Sequence, residues 1–407
     1  MKVGSCHLSY CSNVHPADSW DETFAKLKQH TLAIAGKIAI AKPFGIGLRL
    51  SGRASEELLL HNNLKEFRQW LLNNNLYVFT INGFPYGEFH RKEVKDLVHK
   101  PDWTSQKRVN YTLRLARILA ALLPEDTEGS ISTSPVSYRL WFLRPEQNKV
   151  LVQGAENMAL VASELYNIYL DTGKKVHIAI EPEPDGLIEN SHELVLFFEK
   201  YLLKHGVKTL QKEGCSGRKA EEIIKDHIRV CFDVCHFALA YEEPRDTFRK
   251  LKSHGIKIGK VQISSALHIK LPQINERKQL LVDLKAFADP VYLHQVVVKN
   301  NRGKLEKYPD LPLAMEAIMD PEAEEWRVHF HVPVFTESYK RFGSTRKYIL
   351  DTLCLCKKYR ICDHLEVETY TRDVLPEDIR PDIDEMILKE LQWVEKQLTG
   401  KKEKVNA

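Results

Sequence analysis

The sequence predicts a closed (β/α)8 barrel, and three observations predict it. Runs rich in β-branched and aromatic residues recur eight times along the 407-residue chain, with helical patterns between them. The runs are close to continuously apolar, as parallel strands covered by helices must be. An open doubly wound sheet would advertise a glycine-rich nucleotide turn after its first strand, and here that turn reads SYCSNVHPAD.

Lys2 to Val14 reads as the first strand, ending in a polar turn. Ser19 with Glu22 three residues on is a capping-box signal for an amphipathic helix reaching about Ile38. FGIGLRLSG from Phe44 is the second strand; the helix after it, Ser55 to about Asn74, puts Leu58, Leu59, Phe67 and Leu71 on its apolar face. LYVFTINGFPYG is the third strand, followed by a helix over roughly Gln106 to Leu123. SISTSPVSY is the fourth strand, with a helix from about Val150 to Leu170. KKVHIAIEPEPDG is the fifth, turning at Pro182, and helical segments follow at Ser191 to His205 and Gly217 to His227. In RVCFDVCHFALAYE, Arg229 to Glu242, the sixth strand passes into a helix. KIGKVQISSAL, Lys257 to Leu267, is the seventh.

A long insertion, about 270 to 343, is then expected, with HQVVVKN and WRVHFHVPVF as β pieces. A helix at about Thr345 to Tyr359 precedes the eighth strand, HLEVETYT. The last helix, Asp382 to Leu398, turns Ile387, Leu388, Leu391 and Val394 to a core, and residues 400–407 are a frayed basic tail. The expectation is one barrel domain over 1–407.

Composition narrows the class. Hydrophobic residues at 43% supply a sizeable core, and a formal charge of +4 argues against a strongly electrostatic nucleic-acid binder. No run of about 18 apolar residues occurs, and MKVGSCHLSY lacks the order of a signal peptide, so a cytoplasmic protein is expected. The eight cysteines form no CxxC pair and read as reduced thiols.

In a barrel of this kind functional groups gather at the carboxyl ends of the strands. There the fifth strand offers Glu181 and Glu183, the sixth Asp233 and His236, the seventh Gln262 and Ser264, and the eighth Glu366 and Glu368. By alternation Glu181 shares a face with Glu183, and Glu366 with Glu368. Carboxylates converging on one mouth repel unless a cation neutralises them, which points to a divalent metal. In the insertion, His329 and His331 flank Phe330 and would point the same way from a strand, as two ligands of one ion do. His7, Tyr10, Phe84, Tyr86, His90, Trp103, His268, Lys270, His294 and Gln295 are further candidates for the substrate or the pocket wall.

The segments HLSYCSNVHP, NGFPYGEFH, IEPEPDG, FDVCHFA, HFHVPVF and LEVETYT resemble the metabolite traffic proteins called EboE. These lie within the xylose-isomerase-like barrels, the superfamily of sugar isomerases, epimerases and apurinic-site endonucleases. The resemblance runs over nearly the whole chain. It implies a metal held by Glu181, Asp233, Gln262 and Glu368, with Gln262 standing where imidazole or a related donor is usual. It also implies a substrate or metal contact for His236, and a second metal position at His329 and His331. Two earlier endonuclease histidines have no counterpart, since NGFPYG and STSPVS stand there. The implied activity is sugar or sugar-phosphate isomerisation or epimerisation by proton transfer through Glu181 and Glu368, with zinc or manganese bound at one site or two. A phosphoester hydrolase and a non-catalytic metabolite-binding barrel are the alternatives. The expected partner is a polyhydroxylated small molecule.

Overall fold

The computed structural model describes residues 1–40, 42–88, 94–288, 291–339, 341–369 and 382–400, apart from the side chains of Ala286 and Tyr339. The opening run is a hairpin rather than one strand. β1 (Lys2–Val3) turns at Gly4, whose φ of +62° suits glycine, and pairs antiparallel with β2 (Cys6–Tyr10). β3 (Phe44–Arg49), β4 (Leu76–Asn82), β5 (Gly129–Thr133), β6 (Val176–Ile180), β7 (Ile228–Asp233) and β8 (Ile258–Ile263) follow, separated by helices. The chain then leaves the barrel through β9 (Leu267–Lys270), β10 (Val296–Asn300), β11 (Leu305–Tyr308), β12 (Ala323–Val328), β13 (Ser338–Tyr339) and β14 (Phe342–Ser344). It returns in β15 (His364–Val367).

The strand order β2-β15-β8-β7-β6-β5-β4-β3 is parallel throughout. A parallel bridge from Cys11 to Gly47 joins its two ends. Ser9 reinforces that seam: its hydroxyl donates to Gly45 O at 2.9 Å and accepts from Gly47 N at 2.7 Å. The ring is therefore the eight-stranded barrel that the sequence predicts, with all functional strand ends on one side.

The helices differ from expectation mainly at breaks. The Ser19–Glu22 capping box forms as predicted. The single helix expected after β3 is two, Gly52–Glu57 and Asn63–Asn73, separated where His61 adopts φ +52°. The last helix, Ile383–Thr399, buries Ile387, Leu391 and Val394, while Leu388 is only half-buried.

The segment between β8 and β15 builds a second, antiparallel sheet in the order β11-β10-β12-β9-β14-β13. It has its own core, in which Trp326 and Phe330 pack with Leu284, Val296 and Leu311. The opposite face of β12 docks on the barrel helices through Arg327. Its guanidinium lies 3.7 Å from the Tyr241 ring and donates to Ala238 O at 2.5 Å and Tyr348 OH at 2.9 Å. β12 stops at Val328, so His329 and His331 follow the strand instead of lying in it. No helix among the described residues is long and apolar enough to cross a membrane, and no cysteine forms a disulfide.

Candidate metal centre

Three barrel strands deliver carboxylates to one point. Glu181 follows β6 and extends its ladder, donating its N–H to Thr133 O at 2.9 Å. Asp233 ends β7 and caps the short helix Val234–Leu239, its Oδ1 accepting from His236 N at 3.0 Å and Ser264 Oγ at 2.7 Å. Glu368 follows β15, with its N–H on Ile263 O at 3.1 Å. Its Oε1 accepts from the side-chain amides of Asn13 and Asn82, each at 2.8 Å. Oxygens of Glu181, Asp233 and Glu368 lie within 4.8 Å of one another, and all three residues are buried.

Such a cluster is unfavourable as it stands. Burial first, and then the charges of their neighbours, push the carboxyls of Glu181, Glu183 and Glu368 well above the usual range. For Glu181 and Glu368 the buried ammonium of Lys260 opposes the shift. Glu181 Oε2 and Asp233 Oδ2 are buried with no hydrogen-bond partner among the described residues. Once ionised, unpaired oxygens converging at this distance are the donor set that a divalent cation satisfies.

Three imidazoles adjoin the carboxylates. His236 places Nδ1 2.8 Å from Pro182 O, His329 places Nδ1 2.8 Å from Gln295 Oε1, and His331 places Nδ1 2.9 Å from Glu368 O. Each partner is an acceptor only, so each Nδ1 carries the proton and each Nε2 is left as a lone pair. The Gln295 amide is oriented by its own donation to Pro184 O at 3.3 Å. His236 Nε2 and His329 Nε2 nevertheless face each other at 3.2 Å, with Glu183 Oε2 at 3.3 Å from the former. Burial lowers the pKa of both rings, so a proton shared between them is disfavoured and a metal ion fits the gap. Ligand atoms within 4.8 Å form the sets Glu183–His236–His329, Asp233–His236–His331 and Cys235–His329–His331. Asp233 thus belongs both to the carboxylate cluster and to a histidine cluster.

The cavity over these groups has about 60 Å³ of space. Phe84, Asn13 and Asn82 form its walls, and His329, His331, Gln295 and Tyr292 of the second sheet's segment its roof. Val94 N and Val291 O, 3.0 Å apart, stitch a barrel loop to that roof.

Several predicted residues lie elsewhere. His7 sits at the entry end of β2, opposite His364, with Nδ1 2.9 Å from Tyr77 OH. Tyr10 points outward, its OH bonding Thr31 at 2.9 Å and His15 at 3.2 Å. Glu366 faces the barrel interior and pairs with Lys260 at 2.6 Å, both fully buried, so it does not line the cavity. His268 belongs to β9, on the outer sheet, 3.1 Å from Glu325. Lys270 is exposed at the end of the same strand. Ser264 lies beneath Asp233 as its hydrogen-bond donor. Gln262 stands in register between Asp233 and Glu366, its Oε1 accepting from the Cys231 thiol at 2.9 Å while its Nε2 has no partner among the described residues. His294 is held by its Nδ1 to His329 O at 2.8 Å, and Trp103 donates to Thr133 at 3.0 Å. Tyr86 packs edge-on against Tyr111, 4.9 Å between ring centroids. His90 is outside the described residues.

Sequence reasoning missed Asn13, Asn82, Cys235 and Lys260. Asn82 ends β4 and answers to the same strand-end rule; Lys260, two residues before Gln262, answers to alternation.

No family model matches this chain, and no curated protein matches it. Among solved structures, the chain is similar to an L-ribulose 3-epimerase at 11% identity, over 97% of this chain and 95% of that one, with a TM-score of 0.47. An IOLI protein with a bound zinc atom is 10% identical over 97% of this chain and 98% of its own, with a TM-score of 0.46. A xylose isomerase domain-containing protein from Salmonella typhimurium is 12% identical over 98% and 99%, with a TM-score of 0.45.

Proposed function

We propose that the chain is a divalent-metal-dependent isomerase or epimerase acting on a small, polyhydroxylated, sugar-like substrate. The observation that carries this reading is the cluster of Glu181, Asp233 and Glu368, whose oxygens lie within 4.8 Å at the base of a narrow cavity. A cation held by these three, with the Gln262 amide beside them, would supply Lewis-acid polarisation of a hydroxy-carbonyl group. Zinc or manganese suits the mixed carboxylate and imidazole donors.

The chain's own residues do the rest. Glu181 and Glu368 take a proton from one substrate carbon and return it, as base and acid. Asn13 and Asn82 occupy Oε1 of Glu368, which leaves Oε2 as the oxygen that carries the proton. His236, its Nδ1–H fixed on Pro182 O, turns Nε2 to a substrate hydroxyl. The roof would shield the proton transfer between Glu181 and Glu368 from bulk water.

A second reading, a metal-dependent phosphoester hydrolase, draws on one observation: the opposed Nε2 atoms of His236 and His329 at 3.2 Å make room for a second cation beside Asp233. Deuterium wash-in separates the two. Metal-loaded protein in D2O is expected to label the carbon next to the carbonyl of at least one sugar in a panel of ketoses and aldoses, and Glu368→Gln to label none. Labelling by Glu368→Gln at the wild-type rate would remove Glu368 as a proton carrier. Two zinc ions per chain with phosphodiester cleavage and no labelling would select the hydrolase.

A further inference from the structure

At the opposite end of the barrel from the metal centre, a cleft of about 840 Å³ opens where the chain enters β7, β8 and β15. Phe248, Leu251, Ile258 and Leu355 give it an apolar floor, and seven cationic side chains line it with no acidic residue. Three of the seven are answered by acids outside the cleft: Arg229 by Glu128 at 2.8 Å, Lys257 by Asp226 at 2.5 Å and Arg249 by Asp246 at 3.3 Å. The other four, Arg245, Lys252, Lys358 and Arg360, are exposed and make no ion pair among the described residues. Four cations without an acidic partner on one concave surface repel one another, and an anion entering the cleft relieves that repulsion.

We infer that this cleft binds a soluble organic polyphosphate of nucleotide size. Its volume lies inside the range of about 300–1,000 Å³ usual for small-molecule pockets. Guanidinium forks and ammonium groups on the rim are the donors that phosphate oxygens take. The apolar floor and the Tyr359 ring, 59% exposed at the rim, provide for an organic body and not for inorganic phosphate alone. A recessed cleft favours a compact ligand over a membrane surface, which would ask for a flat or protruding patch. The inference uses none of the metal-centre residues, so it stands or falls independently of the proposed reaction.

Calorimetric titration of the full chain with ATP, inorganic tripolyphosphate and adenosine at low ionic strength tests it. ATP is expected to bind once per chain, tripolyphosphate more weakly and adenosine not measurably. Arg245→Glu/Lys358→Glu should weaken ATP by at least about tenfold. Arg245→Gln/Lys358→Gln should weaken it less, and Asp233→Asn, at the far end, should leave it unchanged. Both charge changes are on exposed side chains, and an unaltered thermal midpoint and circular dichroism spectrum would establish that the variants fold. Absence of ATP binding by the wild type, ATP binding indifferent to both double variants, or ATP binding lost in Asp233→Asn would overturn the inference. So would capture by phosphatidylserine vesicles without ATP binding, which would assign the cations to a lipid surface.

Discussion

Asp233 is where the carboxylate and histidine clusters meet, so replacing it has opposite effects with and without metal. In chelator, Asp233→Asn removes one of several like charges while its amide oxygen still accepts from Ser264 and the His236 N–H. Stability to denaturant is expected to rise by about 1–3 kcal/mol. With zinc or manganese added, the wild type gains thermal stability and Asp233→Asn gains little; equal gains would mean that the cation does not bind at Asp233. Glu390 gives a prediction away from the centre. It is buried, accepting from Val334 N at 3.1 Å and Thr369 Oγ1 at 2.8 Å through one oxygen, and burial pushes its carboxyl up to about 7. Its folded value lies above its unfolded one. The stability it allows is therefore complete below pH of about 4.5 and falls as pH rises to about 7, by roughly 3 kcal/mol in all. Glu390→Gln keeps both hydrogen bonds and should flatten that slope in urea titrations at pH 5 and 8; an unchanged slope would assign it to other groups. At this scale the convergence of Glu181, Asp233 and Glu368 was legible because barrel geometry sends strand ends to one place. Asn13 and Asn82 were not, since asparagine near a strand end reads as a turn residue. Lys260 was not, because lysine is rarely buried unless paired, and its pairing with Glu366 is a tertiary fact. His7 misled because the first strand, read as Lys2 to Val14, begins only at Cys6 and leaves His7 at its entry end; Tyr10 misled because alternation alone does not say which way a five-residue strand faces.

Among elements, the seam between β2 and β3 is the one that closes the ring, and Gly47 is its narrowest point. A Cβ there would lie 2.6 Å from Tyr10 O and 2.0 Å from Glu366 Oε1. The first of these is backbone and cannot swing aside. Gly47→Ala is expected to lower stability by about 1–3 kcal/mol and to disturb the buried Lys260–Glu366 pair beneath the centre. Urea unfolding would register it, and a change below about 0.5 kcal/mol would mean that the seam tolerates separation. The eight parallel strands were readable because most are local runs of β-branched and aromatic residues, and even the weaker β5, GSIST, stands between two helical periods. The second sheet was readable only in part. β10 and β12 have a strand pattern, but β13 and β14, of two and three residues, have too few positions to show a period. The end of β12 at Val328 escaped notice because WRVHFHVPVF alternates straight through it. His331 is placed instead by Val332 N on Ser265 O at 3.0 Å, a pairing with the barrel that no local pattern encodes.

On the scale of the whole molecule, two hydrophobic cores support one candidate centre. The barrel core holds Glu181, Asp233 and Glu368; the segment of the second core supplies His329, His331 and Gln295. The two are joined by polar and cation–π contacts such as those of Arg327 and by a small apolar cluster in which Val297 of the second sheet meets Cys235, Leu239 and Ala266, less than either core holds within itself. Thermal loss of cobalt absorption at the histidine cluster is therefore expected a few degrees below the loss of barrel helicity, and coincident transitions would show a single cooperative unit. The roof also limits what can reach the carboxylates. A ceiling built from a separate sheet and tied to the rim at Val94 and Val291 leaves about 60 Å³ beneath it. If the proposed reaction takes place beneath it, girth is the first filter: a single sugar unit is expected to be labelled in D2O and a longer oligosaccharide not, and equal labelling along a chain-length series would remove the ceiling as a selector.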